Sequence, residues 1–239
     1  MKYIQNIEDE AEAIKQKYDV LYYIKPLGSV NLITIPRYTA VDLGLPSGLK
    51  WANMNVGAES ETDYGLYFQW GDVVGYADAS HSTWATCPGN GGNSDYNAAS
   101  IEAWDAANLQ SVTGMAYSTK ILIPKVDAAT VNMGSKWRMP THKDYTELIN
   151  NTNYEVAEIN GVKGAKFINK ADASKYIFLP FAGTAVGGSF GGQGLGGFVW
   201  SSSAYSDNLA NAYFVYADES GYDDNSGGRC YALSVRGVC

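Results

Sequence analysis

Trp200-Ser201-Ser202-Ser203 opens the stretch around which this chain is organised, and Ser234-Val235-Arg236-Gly237-Val238-Cys239 closes it. At its centre stands Tyr213-Phe214-Val215-Tyr216-Ala217-Asp218. Side chains of a strand alternate between its two faces, so period two places Val215 and Ala217 on the core side and Phe214, Tyr216 and Asp218 on the other. Tyr213 fits the inward register at the strand start. Between Ser201 and Cys239 there is no Lys, Gln, Met or Trp, and the one Glu is Glu219. Tyr, Ser, Asn, Asp, Gly and Ala dominate what is left. Tyr gives stiff, amphipathic contact area at low entropy cost, and Ser, Gly and Asn give adaptable hydrogen bonds, which is the chemistry of an antibody-like contact surface. Turn-rich sheet proteins share this alphabet, so an ordinary edge hairpin with solvated loops is the competing reading.

The candidate ligand-binding residues follow from that stretch. Tyr205, Asp207 and Asn208 belong to the loop after the Trp200 strand. Tyr213, Phe214, Tyr216 and Asp218 lie on the central strand, and Tyr222, Asp223, Asp224 and Ser226 are placed in the next loop. Tyr231 and Leu233 are set outward with Val235 inward. Trp200, Arg236, Trp137 and Arg138 are read as fixed framework, the Trp residues buried and the Arg residues bonded to loop carbonyls.

The chain has 239 residues, 46% of them hydrophobic and 13% aromatic, which places it among globular proteins with a sizeable core. Twenty-six Gly exceed the usual share of roughly 7% and point to many turns rather than long helices. A net charge of −8 without a Lys/Arg cluster argues against nucleic-acid binding, which depends on neutralising phosphates. Three scattered Cys leave room for one bridge at most and form no C-x-x-C pair. His81 and His142 are isolated in sequence, which excludes a His-rich metal site. The first residues, Met1-Lys2-Tyr3-Ile4, turn acidic at once and predict no secretion signal. No apolar run is long enough to span a bilayer.

Upstream of the tail, Ile4, Ile7, Ala11, Ile14, Tyr18 and Leu21 recur at helical spacing, with acidic residues before the lysines, so residues 3–24 are predicted to form a helix. Its apolar seam suggests self-association or attachment, and residues 1–40 are read as this helix and a connector with a short strand at 30–35. Residues 41–239 form the main domain, in which 81–114 is read as an insertion over the surface pinned by Trp84 and Trp104. A short helix is predicted at 127–131. Another follows Thr141, which with Asp144 makes a capping box. Residues 166–168 and 176–179 read as a hairpin. Pro180, Gly183 and the glycine-rich run 187–197 end it.

Six ordered motifs carry a family resemblance: Leu45-Pro46-Ser47-Gly48-Leu49-Lys50-Trp51-Ala52, Tyr67-Phe68-Gln69-Trp70-Gly71-Asp72, Trp137-Arg138-Met139-Pro140-Thr141, Ile177-Phe178-Leu179-Pro180, Trp200-Ser201-Ser202-Ser203 and Ser234-Val235-Arg236. In these the chain resembles the Fibrobacter succinogenes major paralogous domain of gut bacteria and their phages. That family is similar to the C-type-lectin-fold variable proteins of diversity-generating retroelements, with formylglycine-generating enzymes as more distant relatives. The resemblance covers roughly 41–239. It implies an α+β, C-type lectin fold of small antiparallel sheets, two helices and long loops, to which the predicted N-terminal helix is added, with the C-terminal hairpin as the ligand face. It also implies diversification directed to template adenines, under which an Asn codon ending in a pyrimidine cannot become Lys, Glu, Gln, Met or Trp. The tail from Ser201 obeys that exclusion except at Glu219.

The acidic group Asp218, Glu219, Asp223, Asp224 and Asn225 could supply oxygen ligands to calcium, but it has no EF-hand spacing, and the sugar-binding triplets of C-type lectins are missing. No nucleophile elbow is present, and Cys230 and Cys239 sit outside the reactive-cysteine motif of formylglycine-generating enzymes. The expectation is therefore a non-enzymatic receptor-binding display protein without cofactor or metal. It would be a phage or prophage tail adhesin, found in the virion or in host cytoplasm before release, that binds a protein or glycan receptor on a cell surface. It would not enter a membrane, and it would assemble or attach through residues 3–24. The alternatives are a formylglycine-generating-type oxidase and a purely structural virion decoration.

Overall fold

A computed structural model of the protein describes residues 38–112 and 119–239. The predicted helix at 3–24 and the strand at 30–35 lie outside the described residues. The compact unit is Thr39–Cys239. Within it the expectation of an α+β, C-type lectin fold is corrected: among the described residues fifteen strands make up 40% of the structure and three short α-helices bring the helical share to 15%, so this unit is β-rich. The physical reason is that no α-helix among the described residues exceeds 11 residues, while tracts read as loops are held as strands by their neighbours.

Four small sheets, antiparallel throughout their strand ladders, build the fold. The first contains β1 (Ala40–Asp42), β2 (Lys50–Asn55) and β15 (Arg236–Val238), in that order. The second is ordered β10 (Ser189–Gly191), β9 (Thr184–Val186), β14 (Ala232–Leu233) and β3 (Phe68–Gln69). The third, which carries the hairpin of interest, runs β13 (Gly221–Gly228), β12 (Asn211–Asp218), β11 (Gly196–Ala204), β5 (Lys120–Leu122) and β4 (Leu109–Ser111). The fourth is β6 (Thr152–Ile159), β7 (Val162–Asn169) and β8 (Tyr176–Pro180). Its β7–β8 pair is the hairpin that sequence alternation predicts, with Lys166 opposite Phe178.

The helices are α1 (Ala98–Asn108), α2 (Ala128–Met133) and α3 (His142–Asn151). Helix α3 starts where the sequence says it should. Thr141 accepts from the Asp144 backbone while the Asp144 carboxylate takes the Thr141 N–H, so two donors that the helix leaves unpaired are satisfied together. Its Tyr145 and Leu148 enter the main core with Trp51, Phe167, Ile177, Leu179, Val199, Val215 and Ala217. The core thus lies between α3, the third sheet and the fourth.

Gly196 and Gly197 lie inside β11 although glycine usually weakens a strand. A Cβ at Gly196 would meet the Tyr216 ring at 2.9 Å, and one at Gly197 would meet the Pro180 carbonyl at 3.0 Å, so each bare backbone admits a close neighbour. Segment 81–114, read as lying over the surface, supplies α1 and the edge strand β4. Asp105 of α1 holds Arg229 in an ion pair whose two side chains are each 1% exposed. Arg229 also lies over the Trp70 ring at 4.4 Å. Arg236 is buried too: its guanidinium donates to Asn55 Oδ1 (3.0 Å), the Ala52 carbonyl (2.9 Å) and the Phe178 carbonyl (2.7 Å), joining the first sheet to the fourth. Trp200, fully buried, donates its indole N–H to the Phe68 carbonyl at 2.8 Å. Trp137 is buried as well, whereas Arg138 is part-exposed and pairs with Asp144 at 2.6 Å. No helix among the described residues is long and apolar enough to cross a membrane.

Candidate functional site

The site is built on β12 and β13, which pair without interruption from Asn211 opposite Gly228 to Asp218 opposite Gly221. Tyr222, Asp223, Asp224 and Ser226 are therefore strand residues, which corrects their placement in a loop. No apolar alternation marks β13; its register is imposed by β12. The two strands turn through Asp218-Glu219-Ser220-Gly221, where Asp218 Oδ1 accepts from the backbone N–H of Ser220 (2.6 Å) and of Gly221 (3.2 Å). Asp218 Oδ2 accepts from the Tyr216 hydroxyl. That hydroxyl bond, and then the backbone bonds, hold the Asp218 carboxyl below its ordinary range. The same bond pushes the Tyr216 hydroxyl up to about 12. Asp218 is thus engaged in fixing the turn.

Directly paired residues share a face of an antiparallel sheet, so the register sorts the candidates into two sets. Tyr213, Val215 and Ala217 share theirs with Ser226, Asp224 and Tyr222. Helix α3 covers this face. Its first residue, His142, is fixed by the capping box beside it, and its backbone N–H donates to Ser203 Oγ at 3.1 Å. The imidazole stacks flat on Tyr213, with ring centres 3.9 Å apart and planes 8° from parallel. Its Nε2 is bonded to Asp224 Oδ2. Tyr205, from the loop after β11, meets Tyr213 edge to face at 5.1 Å. Between these groups opens a cleft of about 250 Å³, also lined by Asp207, Asn225 and Ser226. At the other end of the same face Tyr222 packs against Tyr154 (4.8 Å) and Phe167 (5.8 Å).

The opposite face carries Phe214 and Tyr216, joined by Phe198 from β11 at 5.9 and 4.7 Å. Phe214 also meets Trp200 edge to face. A Cβ at Gly227 would stand 2.8 Å from the Phe214 ring and 3.7 Å from that of Tyr231, so both rings lie along the bare backbone of β13. Val215 and Ala217 are buried and Phe214, Tyr216 and Asp218 half-exposed, in the order that alternation predicts.

The candidates thus do not form one patch. Tyr205, Asp207, Tyr213, Asp224 and Ser226 gather at the cleft. Phe214, Tyr216 and Tyr231 lie on the other face, with Asp223 exposed beside them, and Tyr222 stands apart. Asn208 is exposed and uses its Oδ1 to accept from the Ala210 N–H at 3.0 Å. Leu233 is corrected: it is 1% exposed and pairs with Phe68 in the second sheet. Two residues before the inward Val235, it has the parity of the core. Sequence reasoning missed His142 and Phe198 as site residues and weighed Asn225 only as an oxygen ligand for calcium. The capping box could have fixed His142 at a helix start, but nothing local joins it to Asp224, 82 positions later.

Among the described residues no group of three or more His, Cys, Asp or Glu side chains is placed to hold a metal ion. Asp218, Glu219, Asp223, Asp224 and Asn225 are divided between the turn and the two faces. Cys87, Cys230 and Cys239 are free thiols. Burial pushes the Cys87 thiol up to about 12 and the Cys230 thiol up to about 11, holding both in the neutral form, which is a poor nucleophile. The cleft offers two carboxylates, an imidazole, phenol rings, an amide and a hydroxyl on a paired backbone. Comparison of the chain with protein-family models, curated proteins and solved structures finds no match in any of the three.

Proposed function

We propose that the protein is a non-enzymatic ligand-binding protein whose contact surface is the β12–β13 hairpin with the loop before it. In this reading it is a phage or prophage tail adhesin that varies at this surface, as the variable proteins of diversity-generating retroelements do, and residues 3–24 attach or oligomerise it. The observation that carries the reading is the cleft at which Tyr205, Asp207, Tyr213 and Asp224 converge with His142. Support comes also from the division of labour within the hairpin. Val215, Ala217, Arg229 and the nearby Arg236 are buried framework, whereas Asp207, Asp223 and Tyr231 are exposed and Tyr205 and Asp224 half-exposed. The excluded residue types of the tail agree with diversification of this kind.

The test exchanges Tyr205, Asp207, Phe214, Tyr216, Asp223, Asp224 and Tyr231 together for another Tyr/Ser/Asn/Asp set and measures binding to a panel of bacterial cells. A changed target range in a protein that still folds supports the reading. An unchanged range places recognition elsewhere, with segment 81–112 next to be varied. Sequencing the neighbouring DNA checks the diversification separately. A near-copy of the coding segment for 200–239 that differs at adenines, beside a reverse transcriptase, is the expected result.

A further inference from the structure

The cleft between α3 and the hairpin has a charge, a shape and a size that narrow its occupant. Asp207 and Asp224 line it, and no Lys or Arg does. Arg229, Arg138 and Lys163 are committed to other carboxylates, Asp105, Asp144 and Glu219, and Lys143, which follows His142 on α3, is exposed and outside the lining. Among the lining residues the one basic side chain is His142, set against two acids. With the chain at −8 overall, the field there draws cations in and turns anions such as phosphate away.

Shape adds to this. His142 and Tyr213 form a flat stack, and Tyr205 stands across it. Asp224 uses Oδ2 on His142, and its side chain keeps 38% exposure, so the carboxylate is oriented by the imidazole and still open to solvent. A planar guanidinium pairs with carboxylates through its fork of N–H donors and stacks on aromatic rings, whereas an ammonium offers only a compact point charge. The volume, about 250 Å³, falls below the ~300 Å³ at which pockets for drug-sized ligands begin. It suits one side chain rather than a bound peptide strand.

We propose that this cleft seats an arginine side chain of a protein partner. The proposal rests on the hairpin being the ligand face, and it names the partner chemistry of that face. Asp224 is the anchoring carboxylate, His142 the residue that orients it, Asp207 the outer acid, and Tyr205 and Tyr213 the ring walls.

The experiment titrates the full chain with agmatine, a butyl stem with a guanidinium at one end and an ammonium at the other, and follows backbone amide shifts by NMR; methyl glucoside, 1,4-diaminobutane, which has the same stem and charge without the guanidinium, and inorganic phosphate are added in parallel. Agmatine is expected to shift the amides of Tyr205, Asp207, Asp224 and Ser226 saturably, more tightly than 1,4-diaminobutane, and with an affinity that falls as salt is raised. Asp224→Asn should weaken it about tenfold, the loss of one charge-assisted hydrogen bond. Asp207→Asn, at an exposed loop position that carries no core contact, should weaken it by a smaller factor and guards against misfolding of the first variant. Saturable shifts with methyl glucoside or phosphate and none with agmatine would overturn the proposal, as would agmatine shifts that neither substitution changes. If agmatine fails while the hairpin exchange still alters the target range, the arginine assignment alone falls. If the exchange leaves the range unchanged while agmatine binds, the ligand-face reading falls.

Discussion

Asp105→Asn is the substitution whose consequence the fold determines most sharply. Asp105 and Arg229 are joined at 2.6 and 3.2 Å through both carboxylate oxygens, and each side chain is 1% exposed. An exposed pair of this kind contributes about 0.2–1 kcal/mol. Here solvent cannot take over when the carboxylate is neutralised, and the guanidinium is left with the Asn211 carbonyl, at 3.3 Å from Nε, and the Trp70 ring. Breaking a buried pair by removing one partner costs about 3–5 kcal/mol because a charge stays buried without compensation. Asn retains one oxygen acceptor, so a loss of about 3 kcal/mol is expected, a large fraction of the 5–15 kcal/mol that usually holds a domain together. Urea unfolding followed by Trp fluorescence and circular dichroism measures it, with the midpoint falling and the slope unchanged. The double variant Asp105→Asn/Arg229→Met removes the stranded charge and should regain most of the loss, an interaction term that a double-mutant cycle isolates. A loss below about 1 kcal/mol for Asp105→Asn alone would refute the argument, because it would mean that water reaches Arg229.

Trp200→Ala removes a fully buried indole and its bond to the Phe68 carbonyl, and should cost about 3–5 kcal/mol in the same unfolding assay, whereas Asp223→Asn, at an exposed strand position, should stay within about ±0.5 kcal/mol. Gly183 has φ +69°, and a Cβ there would lie 2.3 Å from the Gly191 carbonyl oxygen, so Gly183→Ala combines a left-handed backbone with a clash against main chain and should cost about 2 kcal/mol or more in thermal melts. Iodoacetamide on the native protein, read by mass spectrometry, should label exposed Cys239 first and leave Cys87 and Cys230 unmodified until denaturant is added. Asp218 has a folded value below its ordinary 3.8, so its contribution is complete above that pH and is lost as pH falls through the lower folded value; the melting-temperature gap between wild type and Asp218→Asn should close over that acid range.

The legible parts of this fold are those specified by neighbouring residues. The β12 alternation showed in Val215 and Ala217, the α3 start in Thr141 and Asp144, and the framework role of Trp200 and Arg236 in their chemical type. The illegible parts are specified by partners distant in sequence. Strand β13, with Asp223, Asp224 and Asn225 in succession, has no pattern of its own and takes its conformation from an eight-residue ladder with β12. Gly196 and Gly197 read as breakers because the ring and carbonyl that need their bare backbones come from Tyr216 and Pro180. The cleft escaped notice for the same reason: His142 arrives from a helix whose own sequence says nothing of Tyr213 or Asp224. The candidate aromatics divide between two faces because the period-two register sends Tyr222 and Tyr216 to opposite sides of one hairpin.

The bonds of Arg236 also bear on how the molecule reaches this state. Its partners Asn55 and Ala52 stand 181 and 184 positions earlier in the chain, and Phe178 stands 58 earlier. Contacts of such sequence separation require very large loops to close before they stabilise anything, and folds rich in them cross their barrier in milliseconds to seconds rather than microseconds. The β12–β13 and β7–β8 hairpins, being local, can assemble early, whereas the seam at Arg236 must close late. Substitutions at that seam should therefore speed unfolding and leave the refolding rate nearly unaltered. The contact surface proposed above would then sit on an early-forming hairpin, with the lifetime of the native state guarded by a contact made elsewhere.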